Sequence, residues 1–202
     1  MNTYSHTMIG TLIYGYLKDE HGIQLDKERF LKGNVIPDFS YFAVVHPHFV
    51  KLSLGYIQEE VVSLSKAYLE SALIGSDYSF RLGIICHYYA DFFCYAHSSG
   101  YRQAVVNHLK YEHLLYEYFQ NNYDDIGRMS FAVYDDVSTS ANAINDKFKQ
   151  LHAEYVGLDP AYDKDILYAL KACSGTILSL VSCARRQKAA GSLESFCEAA
   201  AV

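Results

Sequence analysis

Tryptophan is absent from the 202 residues, proline occurs only three times, and 17 Lys and Arg do not balance 23 Asp and Glu. Each shortage narrows what the chain can be. Without Trp, large-ring packing falls to 19 Tyr and 11 Phe, which stack in a core with the tyrosine hydroxyls at its edge, or line a pocket. A formal net charge of -6 leaves no basic excess to displace counterions from phosphate, so no stable nucleic-acid complex is expected. An enzyme that grips a single phosphate through metal ions is still allowed. Cys86, Cys94, Cys173, Cys183 and Cys197 are odd in number and form no CxxC pair, which fits reduced, mostly buried thiols better than a disulfide framework. Met1 to Ser5 carry no basic side chain, and the apolar run from Met8 to Leu17 is interrupted by Gly10, Thr11, Tyr14, Gly15 and Tyr16. That is not signal-peptide grammar, and a cytoplasmic chain is expected. No stretch reads as long and apolar enough to span a bilayer, so no transmembrane segment is expected either.

What is present is helix-forming. Half the residues are apolar, enough for one substantial core, and a single domain over 1–202 is expected. Two of the prolines, Pro37 and Pro47, fall in the segment 33–48, which reads as an irregular loop. Ser5 is a candidate cap for a first helix to about Lys18, and a short helical turn covers 26–32. Apolar residues at Ile57, Val61, Leu64, Ala67, Tyr68 and Ala72 have helical spacing over 56–73. A long helix starting at Asp77 or Ser79 is predicted to run through His97, ended by Ser98, Ser99 and Gly100. Further helices are predicted over 101–119, 138–156 and 161–187, with a short one from Ser192. No segment alternates over strand length, and the fold class is all-α.

The nine histidines carry the chemistry. His87 and Asp91 stand four apart on a predicted helix, so both leave the same face one turn apart. His108 and Glu112 repeat the arrangement on the next helix. A His-xxx-carboxylate pair puts a nitrogen and an oxygen where one ion with bonds of about 2 Å meets both. His97 would lie roughly 80° round the helix from His87 and about 15 Å along it, which assigns it to a different metal. The helix around His87 and Asp91 is almost uncharged, and a buried carboxylate without a partner costs several kcal/mol, so a cation beside Asp91 is expected. A single such pair is ordinary. Two pairs and a third His within 26 residues are much less so. Asp38 after Pro37, either His46 or His48 around Pro47, and His6 offer further donors from outside these helices. His113 and Glu117 point away from His108 and read as a solvated or packed pair; His21 and His152 read as surface residues, and Asp124, Asp125, Asp135 and Asp136 as solvated loop. HExxH, ExxH, adjacent His–Asp, P-loop, GxGxxG and GxSxG motifs are all missing.

With these residues assembled, the sequence resembles the bacterial zinc-dependent phospholipase C family from about residue 4 to 117. The His-xxx-Asp-xxxxx-His motif matches at His87, Asp91 and His97, His-xxx-Glu at His108 and Glu112, the loop Asp at Asp38, the following His at His48 or His46, and the N-terminal His at His6. The resemblance implies an all-α fold holding two to three zinc ions. One zinc would take Asp38, His48, His87 and Asp91, a second His97, His108 and Glu112, and a third would share Asp91 and use His6. In that family an N-terminal Trp completes the third site through its amine and carbonyl; this chain has no Trp to do so. The resemblance further implies cleavage of a phosphodiester, such as that of a phospholipid headgroup, by metal-activated water with Asp38 as base. Tyr41, Phe42 and Tyr88 are candidates for receiving a quaternary ammonium on a ring face. A nuclease or nucleotidase is the alternative enzyme, because fungal single-strand nucleases hold a similar cluster. A non-catalytic metal-binding helical protein is the third reading.

Overall fold

A computed structural model describes residues 1–39, 41–67, 73–101, 104–129 and 137–199, except for the side chains of Phe42, Leu73 and 187–199. The elements in order are α1 (Thr3–His21), β1 (Gln24–Leu25), α2 (Lys27–Gly33), α3 (Ile36–Phe39), α4 (Phe42–Val45), α5 (Val50–Ser65), β2 (Leu73–Ile74), α6 (Ser76–Phe92), a 3-10 turn (Tyr95–His97), α7 (Val105–Asn121), α8 (Tyr123–Arg128), α9 (Ala141–Val156) and α10 (Tyr162–Ala199). The fold is all-α, with one unpredicted feature: β1 and β2 pair in parallel, Gln24 with Leu73 and Leu25 with Ile74.

Helix α6 is the axis of the molecule. Every residue from Leu82 to Phe92 is buried, as befits a helix without a polar face, and α6 packs on α2, α10, α5 and α1. Its approach to α2 is backbone on backbone. A Cβ on Gly83 would lie 2.2 Å from the Phe30 carbonyl oxygen, and one on Gly33 would lie 2.1 Å from that of Phe80. Aromatic rings fill the opposite flank, where Tyr89 stacks on Phe148 with centroids 4.2 Å apart and Phe93 meets Phe148, Tyr155 and Tyr168. This is the core that a Trp-free, Tyr-rich chain builds.

Several boundaries differ from the predicted ones. Helix α1 begins earlier because Asn2, not Ser5, accepts the first-turn N–H; the donor is the backbone of Ser5, whose side chain is buried. The segment 33–48 is not wholly irregular, since α3 and α4 form single turns within it. Helix α5 starts at Val50 and stops at Ser65, and Leu73 belongs to β2, so the helix predicted over 56–73 is shifted; Tyr68 and Ala72 lie outside the described residues. Helix α9 starts later than residue 138, under a Ser140 cap. The separate helix from Ser192 is a continuation of α10, which Gly191 does not break. Residues Tyr162–Arg186 of α10 are long and apolar enough to cross a membrane by length and composition, which corrects the sequence reading. However, 72% of that window is buried inside the protein, against α6, α9 and α1, and the stretch serves as a core helix.

Candidate metal centre

The donors converge on Asp91, a fully buried carboxylate near the end of α6. Its Oδ2 lies 2.8 Å from His48 Nδ1 and 3.4 Å from His87 Nε2. Its Oδ1 lies 3.3 Å from His6 Nε2 and 3.5 Å from His97 Nε2. Asp38, on α3, faces the same space, with Oδ1 3.7 Å from His87 Nε2 and 3.8 Å from His48 Nδ1. Glu112 Oε1, on α7, sits 2.9 Å from His97 Nε2 and 3.3 Å from His108 Nε2. All eight residues singled out in the sequence are therefore gathered in one cluster. His97 arrives by a different route from the predicted one. Helix α6 ends at Phe92, and the 3-10 turn Tyr95–His97 redirects the chain. An unbroken helix would have carried His97 about 9 Å beyond Asp91; the break brings it into contact instead.

Neighbouring carbonyls fix two of the rings. His87 Nδ1 lies 2.9 Å from the Asn34 carbonyl oxygen and His97 Nδ1 2.8 Å from that of His48. A carbonyl only accepts, so each Nδ1 carries the proton and each Nε2 presents a lone pair to the cluster, as a metal-ligating imidazole requires. Burial pushes the His87 imidazole well below its ordinary pKa, with the charge of His6 adding to the effect, which keeps it in the neutral form a metal needs. Burial alone would raise the Asp91 carboxyl. His97, the Met1 amine, His6 and the His48 hydrogen bond outweigh it and hold the group well below the usual range. Glu112 is held at about 2: burial would raise it, and the His97 hydrogen bond and the Met1 amine prevail.

The residues fit a metal, because several of their buried nitrogens make no hydrogen bond. Neither nitrogen of the wholly buried His6 has a hydrogen-bond partner, nor does His48 Nε2. Buried imidazole nitrogens without a hydrogen bond are costly unless a cation takes them. Three groups of donor atoms lie close enough for a shared ion: His6, His87 and Asp91; Asp38, His48 and His87; and Cys94, His97 and Glu112. The nitrogen and oxygen donors are of the type zinc prefers. A family model for zinc dependent phospholipase C matches residues 5–162. The chain belongs to the zinc-dependent phospholipase C family. Neither curated proteins nor solved structures yield a match.

Within this family's architecture, the structure adds three features that sequence reasoning missed. The α-amine of Met1 is buried in the cluster. It touches Asp91 Oδ1 and lies 3.1 Å from both Glu112 Oε1 and His97 Nε2. It thus stands between Asp91 and the His97–Glu112 pair. Cys94 is the second, its Sγ within 4.8 Å of a His97 ring nitrogen and a Glu112 carboxylate oxygen. The third is Asp165, in the first turn of α10 and fully buried. Its carboxylate accepts the backbone N–H of Tyr95 (2.9 Å) and the hydroxyls of Tyr111 (3.0 Å) and Tyr155 (2.7 Å). Tyr95 opens the turn that ends at His97, and Tyr111 precedes Glu112, so one carboxylate ties down the elements carrying both. No spacing rule links a first-turn Asp to a backbone N–H seventy residues away.

Burial raises the Asp165 carboxyl to about 6, against the pull of those three donors. The sign of the linkage follows. Between roughly pH 4 and pH 6 the folded chain keeps a proton that the unfolded chain has released, so this group's contribution to stability falls as pH rises through that window. The total is about 3 kcal/mol. In urea titrations the destabilisation caused by Asp165→Asn should therefore shrink by that order between pH 4 and pH 7. A wild-type-minus-variant difference that stays flat with pH would refute this.

The remaining sequence candidates separate cleanly. His46 stacks on Tyr56 with centroids 3.8 Å apart, leaving His48 in the cluster. His113 and Glu117 form an exposed pair 3.3 Å apart on α7, and His21 is exposed. His152 is not the surface residue expected; it is half-buried against Phe93 and Phe148. Asp124 and Asp125 are exposed, in the first turn of α8 rather than in a loop. Asp135 and Asp136 lie outside the described residues, as do the side chains of Phe42 and Cys197. Tyr88 is buried and donates to the His46 carbonyl, whereas Tyr41 is 76% exposed. The other four cysteines are free and buried.

Proposed function

We propose that this chain is a zinc-dependent phosphodiester hydrolase of the phospholipase C type, with Asp38, His48, His87 and Asp91 holding one zinc and His97, His108 and Glu112 a second. His6 would hold a third, sharing Asp91. The observation that carries the reading is the convergence of these donors on Asp91 with imidazole nitrogens left unpaired. When bound, zinc supplies positive charge for the phosphate oxygens and acidifies a water. The protein's own part is to orient and to move a proton. Asp38 suits the role of base: its side chain is 19% exposed, against 0% for Asp91 and 10% for Glu112. The Thr3 hydroxyl donates to its Oδ2 at 2.8 Å, leaving Oδ1 to face the cluster.

Two surfaces favour a phospholipid over a nucleic acid. A cavity of about 490 Å³ opens next to His97 and is lined mainly by apolar side chains, among them Phe49, Leu52, Tyr155 and Leu158. In the segment of chain that carries Asp38 and His48, the side chains of Phe39, Tyr41, Val44 and Leu52 are exposed, a poor match for a polyanion and a fair one for an acyl region.

The test is metal analysis of protein purified without chelator, followed by hydrolysis of phosphatidylcholine, a soluble phosphodiester and single-stranded DNA. Zinc should co-purify and phosphatidylcholine should be the best substrate. Absence of zinc, or turnover of DNA alone, overturns the proposal. His87→Ala should lower zinc content, and an unchanged content would remove His87 from the ligand set.

A further inference from the structure

We propose that the cavity beside His97 is an acyl-chain site, an assignment that rests on the hydrolase reading above. One chain of the lipid substrate lies in the cavity, its ester carbonyl meets the Ser98 hydroxyl, and its phosphate reaches the metal centre.

The cavity is walled by segments that meet only in the folded protein. Phe49 and Leu52 come from around the start of α5, Tyr95 from the 3-10 turn, and Tyr155, Val156 and Leu158 from the end of α9 and the chain beyond it. Its volume of about 490 Å³ is that of a small-molecule site, and such sites are mostly apolar with a few placed polar groups. The polar residues of the α9 wall are accounted for. The Tyr155 hydroxyl is held by Asp165 at 2.7 Å. Burial pushes the His152 imidazole below its ordinary pKa, which keeps it neutral. The two lining residues that carry a full charge, Lys51 and Asp159, are exposed to solvent. An apolar chain therefore meets no buried charge there, and it would cover apolar surface that is now wet: Val156 is 59% exposed and Leu158 41%.

Ser98 supplies the placed polar group. It lines the cavity, follows directly on His97, and has a buried hydroxyl oxygen without a hydrogen-bond partner. A buried hydroxyl left unpaired is costly, and an ester carbonyl is an acceptor for it. The order of groups in a phospholipid matches the order along the site. His97 belongs to the metal centre, 2.9 Å from Glu112 Oε1, and also to the cavity lining. In the lipid, only the glycerol carbons separate the phosphate from the esters. A phosphate at the centre thus brings an ester to Ser98 and its chain to the walls beyond. A nucleotide has only a polar sugar at that distance from its phosphate.

The test uses the full chain and a phosphonate analogue of phosphatidylcholine, which is not hydrolysed. The analogue carries bromine on one acyl chain and is kept too dilute to form micelles. Because the protein has no Trp, Leu158→Trp places a single indole reporter on the cavity wall. The analogue should quench it saturably. One more carbon on each chain should tighten binding by about 4-fold, the gain for one buried methylene. Adding Val156→Phe should weaken binding at least about 10-fold by crowding the chain. Ser98→Ala should weaken the ester-linked analogue by about 3- to 10-fold and leave an ether-linked one unchanged. A brominated free fatty acid, which lacks the phosphate, should bind less tightly than the analogue; equal or tighter binding overturns the proposal. Quenching that is absent, or indifferent to chain length, also overturns it, and leaves the hydrolase reading intact where zinc and hydrolysis are found. Saturable, chain-length-dependent quenching in a protein without zinc overturns the hydrolase reading and upholds the acyl site.

Discussion

Asp91→Asn should empty the centre as a whole, whereas loss of any single histidine should empty only part of it. Each oxygen of Asp91 serves a different set of neighbours: Oδ1 faces the Met1 amine, His6 and His97, and Oδ2 faces His48 and His87. Every donor group implied by the zinc reading therefore contains this residue or a neighbour in contact with it. An amide keeps the shape but loses the charge and one acceptor. Removing even an outer partner of a metal ligand costs 10- to 100-fold, so loss of a shared ligand should lower zinc affinity and hydrolysis by at least about 100-fold. A second effect falls on the metal-free protein. The Met1 amine is fully buried; burial would lower its pKa, but Asp91 and Glu112 hold it well above the ordinary value, as an ammonium. Breaking a buried ion pair from one side costs about 3–5 kcal/mol, so the variant should also unfold at lower urea without metal. His108→Ala provides the contrast, because His108 meets only the Glu112 side. Zinc content in Asp91→Asn close to wild type would refute the shared-ligand assignment.

The part of this centre that was legible in the sequence was its helical part. His87 with Asp91 and His108 with Glu112 are i,i+4 pairs, and periodicity alone puts each pair on one face. The loop donors needed the family resemblance, since nothing in the spacing of Asp38 or His6 points inward. His46 and His48 flank the same proline, and only packing separates them: Tyr56 takes the ring of one, Asp91 that of the other. The break after Phe92 was not legible. Phe93, Cys94, Tyr95 and Ala96 contain no proline or glycine, and the helical pattern reads straight through them. What stops the helix is tertiary: Asp165 captures the Tyr95 N–H that an α-helix would have directed to the Asp91 carbonyl, and Cys94 N–H bonds there instead. Segment boundaries on the opposite side of α6 slipped for a similar reason, as the β1–β2 pairing joins residues almost fifty apart and has no local signal.

The second large effect concerns the glycines at the α2–α6 crossing. Gly83→Ala would put a methyl 2.2 Å from the Phe30 carbonyl oxygen, and the atoms around it are backbone on both sides: Gly33 Cα at 2.8 Å and Asn34 N at 2.9 Å. No rotamer change relieves such a clash, so the two helices must separate. Overpacking typically costs 1–3 kcal/mol when side chains can yield; with backbone on both sides the expected loss is at least about 3 kcal/mol. The consequence reaches the metal centre, because the next residue of the displaced strand of chain is Asn34, whose carbonyl orients His87. Gly83→Ala should therefore lose zinc from the His87 position even under conditions where it stays folded. Gly55→Ala makes the comparison sharp. Gly55 sits inside α5 with nothing within 4 Å of the added carbon, and alanine there should stabilise the protein by about 0.4–1 kcal/mol through helix propensity and a restricted unfolded chain. Urea denaturation with zinc determination on both variants measures the two predictions together. A Gly83→Ala protein with wild-type stability would mean that the helices do not touch at Gly33 and Gly83. One that is destabilised yet keeps its zinc would mean that the Asn34 carbonyl is not what holds His87 in place.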